Sequence, residues 1–111
     1  MELRQSPRLR VRFRTSFSAP EMAAGEGFVK DISLGGCRVE TSIQVHLGTE
    51  LELRIAVPPG LTPVAVDRAV VRWEQGQEFG VAFLSLRPSE QEHLQNLLRE
   101  SGINLKQEKR A

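Results

Sequence analysis

Two groups of residues in this chain have chemistry to offer an anionic ligand. Arg4 and Arg8 stand four apart in Arg4-Gln5-Ser6-Pro7-Arg8. Pro7 fixes its own φ and biases Ser6 toward extended backbone, so the segment reads as an extended or turned arm. A guanidinium fork donates two parallel hydrogen bonds to a phosphate, or to O6 and N7 of guanine, and it stacks on a purine face. Two forks on a mobile arm suit a guanine nucleotide; taken alone, they also read as a solvated basic terminus. The second group is Asp31-Ile32-Ser33-Leu34-Gly35-Gly36. On a strand, Asp31 and Ser33 share one face while Ile32 takes the other. A carboxylate beside a hydroxyl can accept from guanine N1–H and the N2 amino group. Gly35 and Gly36 lack a Cβ and let backbone approach a flat ligand closely. Taken alone, the same residues are also common turn formers.

Other chemistries find little support. No GxSxG, Walker A, GxGxxG or HExxH pattern occurs, and Ser33 has no histidine near it in sequence, so no catalytic residue is expected. One cysteine, Cys37, and two distant histidines, His46 and His93, give no metal-ligand spacing, so neither a metal nor a cofactor is expected. A single cysteine also forbids an internal disulfide, which suits a reducing cytosol, and Cys37 reads as a small core residue. The net charge is only +1, yet Arg4, Arg8, Arg10, Arg12 and Arg14 cluster with no acid among them. A local basic patch on a near-neutral chain points to one specific anion and argues against a general nucleic-acid binder. No apolar run is long enough to span a bilayer, and the opening MELRQSPRLRVRF has no apolar core. The expectation is a cytoplasmic chain with neither membrane insertion nor a secretory leader.

The elements that would position these groups can be read from periodicity. From Arg10, alternation places Val11, Phe13, Thr15 and Phe17 on one side and Arg10, Arg12, Arg14 and Ser16 on the other, a half-buried strand with a wet arginine face. Residues 19–27 (APEMAAGEG) read as a loop by composition. Strands follow at 28–33, 37–41 and 50–57, the last with Leu51, Leu53, Ile55 and Val57 inward. Pro58-Pro59-Gly60 ends that strand. Residues 64–75 form a long strand, bent or bulged near Asp67-Arg68. Gly76-Gln77 suits a type II′ hairpin into a sixth strand at 78–84. Ser89 reads as a helix N-cap with Glu92 completing a capping box. Leu94, Leu97 and Leu98 then make an amphipathic stripe that must cover an open barrel end or a partner, and Ser101-Gly102 stops the helix. The fold class is mainly all-β: a six-stranded antiparallel barrel with a C-terminal helix. A flexible arm (1–9) precedes the barrel and helix (10–103), and a basic tail (104–111) with Lys106, Lys109 and Arg110 follows.

In combination the motifs resemble the PilZ family. The matching residues are Arg4 and Arg8, then Asp31, Ser33 and Gly36. The likeness continues through Gly36-Cys37-Arg38-Val39-Glu40-Thr41, Gly48-Thr49-Glu50-Leu51, Val70-Val71-Arg72-Trp73 and Gly80-Val81-Ala82-Phe83, covering nearly the whole chain. The resemblance implies a barrel that binds cyclic di-GMP. It assigns Arg4 and Arg8 to phosphates and guanine faces, Asp31 and Ser33 to a guanine edge, and Gly35 and Gly36 to close contact. Arg10, Arg38 and Trp73 are further candidates. Leu3, ahead of the first arginine, leans toward one bound ligand rather than a stacked pair. The implied role is a non-enzymatic receptor or adaptor of motility or biofilm regulation. It would signal to an unidentified downstream protein by ordering the arm on binding. The alternative is a PilZ-like protein–protein module of motility or pilus machinery without ligand binding.

Overall fold

The structure, a computed structural model, describes residues 7–101. Six strands are laid out in chain order: β1 (Leu9–Ala19), β2 (Met22–Ile32), β3 (Gly36–Glu40), β4 (Glu50–Ile55), β5 (Val64–Gln75) and β6 (Glu78–Ser85), followed by helix α1 (Pro88–Glu100). All neighbours pair antiparallel, and the order β1-β2-β3-β6-β5-β4 closes into a barrel where β1 meets β4. Phe17, Val29, Val39, Leu51, Leu53, Ile55, Val71 and Phe79 fill the interior, with Phe17 and Phe79 edge to face at 5.4 Å between ring centroids.

The alternating patterns hold where side chains are large. Thr15 and Phe17 on β1 and Leu51, Leu53 and Ile55 on β4 point inward, while Val11, Phe13 and Val57 are half-buried. Buried Thr15 stays satisfied by donating its hydroxyl to the Arg54 carbonyl across the closing seam, 2.9 Å away. The register of β5 shifts against both neighbours between Val66 and Ala69, placing a bulge at the expected Asp67-Arg68. Gly76 takes φ 61° while no described non-glycine residue has positive φ, the pattern of a type II′ turn.

Two local expectations are corrected. Residues 19–27 are not a loop: only Pro20 and Glu21 separate β1 from β2, and the small residues run on as strand. Their size is imposed by packing. A Cβ on Gly25 would collide with the Phe17 ring, and one on Gly27 with the Glu40 carbonyl and the Thr41 side chain. The helix start also differs. Arg87 is the N-cap and makes no side-chain cap bond; Pro88 opens α1 and Ser89 lies inside it. Proline at the first helical position removes one of the unpaired N–H groups of the first turn and brings a helix-ready φ, so the helix starts at Pro88, one residue ahead of Ser89.

Helix α1 buries Leu94, Leu97 and Leu98 against the barrel. Its first turn is tied to β5 twice. Arg87 forks onto the Asp67 carboxylate at 3.1 and 3.3 Å, and the Glu90 carboxylate accepts the Ala65 backbone N–H at 2.8 Å. The described β5–β6 pairing ends at Arg68 opposite Ser85, so Glu90 takes the donor of a β5 residue beyond the end of β6. Among the described residues no helix is long and apolar enough to cross a membrane.

Candidate functional site

The site is built on the outside of the barrel, and a defect in β2 puts it there. Val29 pairs with Val39 and Asp31 with Arg38, so Lys30 is an extra residue between them. Strict alternation would send one of Lys30 and Asp31 inward. Instead buried Val29 and buried Ile32 flank two partly exposed side chains. Bulges re-aim side chains in this way, and here the re-aimed group is the Asp31 carboxylate. The pairing carries a row across five strands: Arg10 on β1, Asp31 on β2, Arg38 on β3, Gly80 on β6 and Trp73 on β5.

Asp31 is the centre of that row. Arg8 donates to its Oδ1 from Nε at 3.1 Å and Nη2 at 2.8 Å, while Arg38 donates to Oδ2 from Nε at 2.9 Å. Arg38 also donates from Nη1 to Glu78 Oε1 at 3.1 Å. The carboxylate retains 15% exposure, against 46% for Arg8 and 31% for Arg38, so the acid sits beneath two outward-facing cations. The bond from Asp31 raises the Arg38 guanidinium above its ordinary value, desolvation works against this, and Glu78 adds to it. The Arg38 guanidinium therefore presents fixed positive charge, suited to a phosphate.

The neighbours of Asp31 are arranged differently from the sequence expectation. Ser33 does not share its face. Strand β2 ends at Ile32, and Ser33 is buried in the turn that follows. Its hydroxyl accepts from the Gly35 N–H at 3.2 Å and donates to the Gly36 carbonyl at 3.4 Å. Ser33 thus shapes the turn that carries Gly35. The two glycines also part company. A Cβ on Gly36 would strike the Val81 carbonyl of β6, so its absence serves the barrel. Gly35 is exposed, with open space where its Cβ would stand, so nothing in the barrel requires glycine there.

Arg10 is exposed on the same row. Trp73, 40% exposed, lies over Gly80, where any Cβ would collide with the indole. Arg12 and Arg14 turn to Phe28, at 4.0 and 5.5 Å from its ring centroid, and Arg12 also reaches Glu40 at 3.6 Å. Cys37, next to Arg38, points inward; burial first, then the nearby Asp31 charge, pushes its thiol up to about 12, which leaves it protonated and inert at neutral pH. Leu3, Arg4 and the tail residues Lys106, Lys109 and Arg110 lie outside the described residues, as does most of the 1–9 arm. Glu78, which holds the far side of Arg38, was not among the expected residues. The two stand 40 apart in sequence, and only the pairing of β3 with β6 brings them together.

Comparison with known proteins agrees with this architecture. The family model described as PilZ domain matches residues 2–100. A search of curated protein sequences finds no match. Among solved structures, the PilZ domain of YcgR from Escherichia coli, determined with c-di-GMP, is similar at TM-score 0.71 and 13% identity, covering 90% of this chain and 95% of that one. The PilZ domain of CeSA from a cellulose-synthesizing bacterium is similar at TM-score 0.68 and 14% identity, covering 86% and 98%. The Bacillus subtilis inhibitor of motility (MotI/DgrA) is similar at TM-score 0.70 and 20% identity, covering 91% of this chain, which spans about half (52%) of that one. With a family model running from the arm to the end of the helix, and the barrel shared with solved PilZ domains, this chain belongs to the PilZ domain family.

Proposed function

We propose that this chain is a non-catalytic receptor for cyclic di-GMP that passes the level of that second messenger to a partner protein. The observation that carries the reading is the convergence of Arg8 and Arg38 on the outward-turned Asp31, at the hairpin that ends in exposed Gly35. Family membership supports it, as does the E. coli YcgR domain solved with c-di-GMP. The likeness to a motility inhibitor supports a role in motility.

The geometry suggests how binding would proceed. Asp31 already accepts from both arginines, so it holds them at the site without ligand. Phosphates arriving at the surface compete for Arg8, the more exposed of the two, and recruit Arg4 from the arm. Release of Arg8 frees Asp31 Oδ1 to accept from a guanine edge, and Gly35 lets the ring system lie close. Arg10 and Arg38 add charge, and Trp73 lies at the far end of the same row. Ordering of the arm over the ligand changes the surface offered to a partner, the ordering entropy being met from binding energy.

Calorimetric titration tests this. Arg8→Ala is expected to weaken cyclic di-GMP binding tenfold or more, since a bidentate arginine–guanine contact contributes about 1–3 kcal/mol of discrimination. The barrel should stay folded. Unchanged affinity in Arg8→Ala, or equal competition by GTP or cyclic di-AMP, would overturn the assignment. Proteolysis near Ser6 should slow on addition of ligand; equal rates would contradict arm ordering.

A further inference from the structure

A second feature lies away from the Asp31 row, at the seam where β1 meets β4. A cleft of about 320 Å³ opens there, with Ile55, Ala56 and Pro63 among its lining residues and Arg14, Arg54 and Glu26 beside them. Its volume falls at the lower end of the range for sites that take small groups. Its walls are mainly apolar, unlike the charged surroundings of Asp31. Arg14 and Arg54 form no ion pair with a described residue, in contrast to Arg8, Arg12, Arg38, Arg68 and Arg87. Arg14 is nonetheless steered, because its guanidinium lies 5.5 Å from the Phe28 ring centroid. A cation positioned by an aromatic face loses less freedom when it meets an anion.

We propose that this cleft is a docking site for an acidic linear segment of a partner protein, one apolar side chain entering between Ala56 and Pro63 and flanking carboxylates meeting Arg14 and Arg54. Charge complementarity selects the occupant. Two cations that form no ion pair with a described residue, Arg54 within the field of Asp67, beside an apolar hollow fit a carboxylate next to an aliphatic side chain. Glu26 at the rim disfavours a uniformly anionic polymer. Arg14 and Arg8 are six residues apart on or next to one strand, roughly 20 Å at the usual rise. Both sites can therefore be filled at once, joined by the arginine face of β1. The cleft supplies the surface that a receptor needs in order to speak to a partner, and in that respect it rests on the reading above. Its chemistry stands without that reading.

The test uses the full chain labelled with nitrogen-15 and a synthetic peptide, Gly-Asp-Glu-Leu-Asp-Glu-Gly, at millimolar concentration. Amide shifts are expected at Ser16, Ile55 and Ala56. Arg54→Glu should abolish them while cyclic di-GMP affinity stays at the wild-type value, and a peptide with serine in place of leucine should bind at least fivefold more weakly. Absence of shifts at these amides overturns the proposal. So does equal binding of the serine peptide, or of single-stranded DNA, since either would mean charge alone. The cleft result is read whether or not cyclic di-GMP binds, so failure of one proposal is distinguishable from failure of the other.

Discussion

At the scale of single residues, Gly35 and Gly36 look interchangeable and are not. Gly36 is pressed against the Val81 carbonyl, whereas Gly35 faces open space. Gly36→Ala should therefore destabilise the fold by about 1–3 kcal/mol, the usual range for forcing atoms into packed structure. Gly35→Ala should leave the unfolding free energy from urea denaturation within about 0.5 kcal/mol of wild type, as for surface changes generally. In the receptor reading, Gly35→Ala instead lowers cyclic di-GMP affinity. Paired denaturation and calorimetry on the two variants check the division. A stability loss in Gly35→Ala equal to that of Gly36→Ala would refute it.

At the scale of elements, α1 is attached by a carboxylate doing the work of a missing strand. The Ala65 N–H bond, ahead of the His93 contact, holds Glu90 below the usual carboxylate range. A lowered folded-state pKa means that the contribution is complete above the unfolded value of about 4.5 and is lost as pH falls through the folded one. Glu90→Ala should cost about 1 kcal/mol at neutral pH, the net worth of a hydrogen bond. Glu90→Gln keeps an acceptor and should flatten the acid limb of the stability curve. Thermal melts from about pH 3 to about pH 7, which span the ordinary carboxylate range, would show both. An acid limb in Glu90→Gln as steep as in wild type would exclude Glu90 as its source.

What could be read beforehand divides along the same physical line. Strands with large alternating side chains, such as β4, and the Gly76 turn were legible because local chemistry dictates them. The first half of β2 was not, because its glycines answer to Phe17, Glu40 and Thr41, which belong to other elements. The cap at Ser89 failed because Pro88, with its helix-ready φ, starts the helix one residue earlier and leaves Ser89 inside it. Within the site, the closeness of Arg8 and Asp31 follows the motif. The outward turn of Asp31 and the withdrawal of Ser33 into the turn depend on a bulge and a strand end that period-two reasoning cannot see.

At the scale of the whole molecule, the barrel is closed unevenly. Strands β5 and β6 pair from Arg68 to Gln75 around a tight turn, while β1 and β4 pair over Thr15–Ser18 against Glu52–Ile55, with one more backbone bond from the Ala56 N–H to the Arg14 carbonyl. Local opening follows sparse pairing. Amide exchange should therefore be faster along the β1–β4 seam than in the β5–β6 hairpin, and in the receptor reading the seam gains protection when ligand engages Arg8. Exchange that is uniform around the barrel would contradict this order.

The indole lying across Gly80 has an optical consequence. The chain contains one tryptophan and no tyrosine, so all near-ultraviolet emission excited beyond the phenylalanine band comes from Trp73. That side chain is 40% exposed and shares a strand-crossing line with Arg38 and Asp31. It is a label-free fluorophore at one end of the row that the receptor reading assigns to the ligand. Its wavelength or intensity should change on titration with cyclic di-GMP and stay flat in Arg8→Ala, so a cuvette and a lamp suffice to follow occupancy.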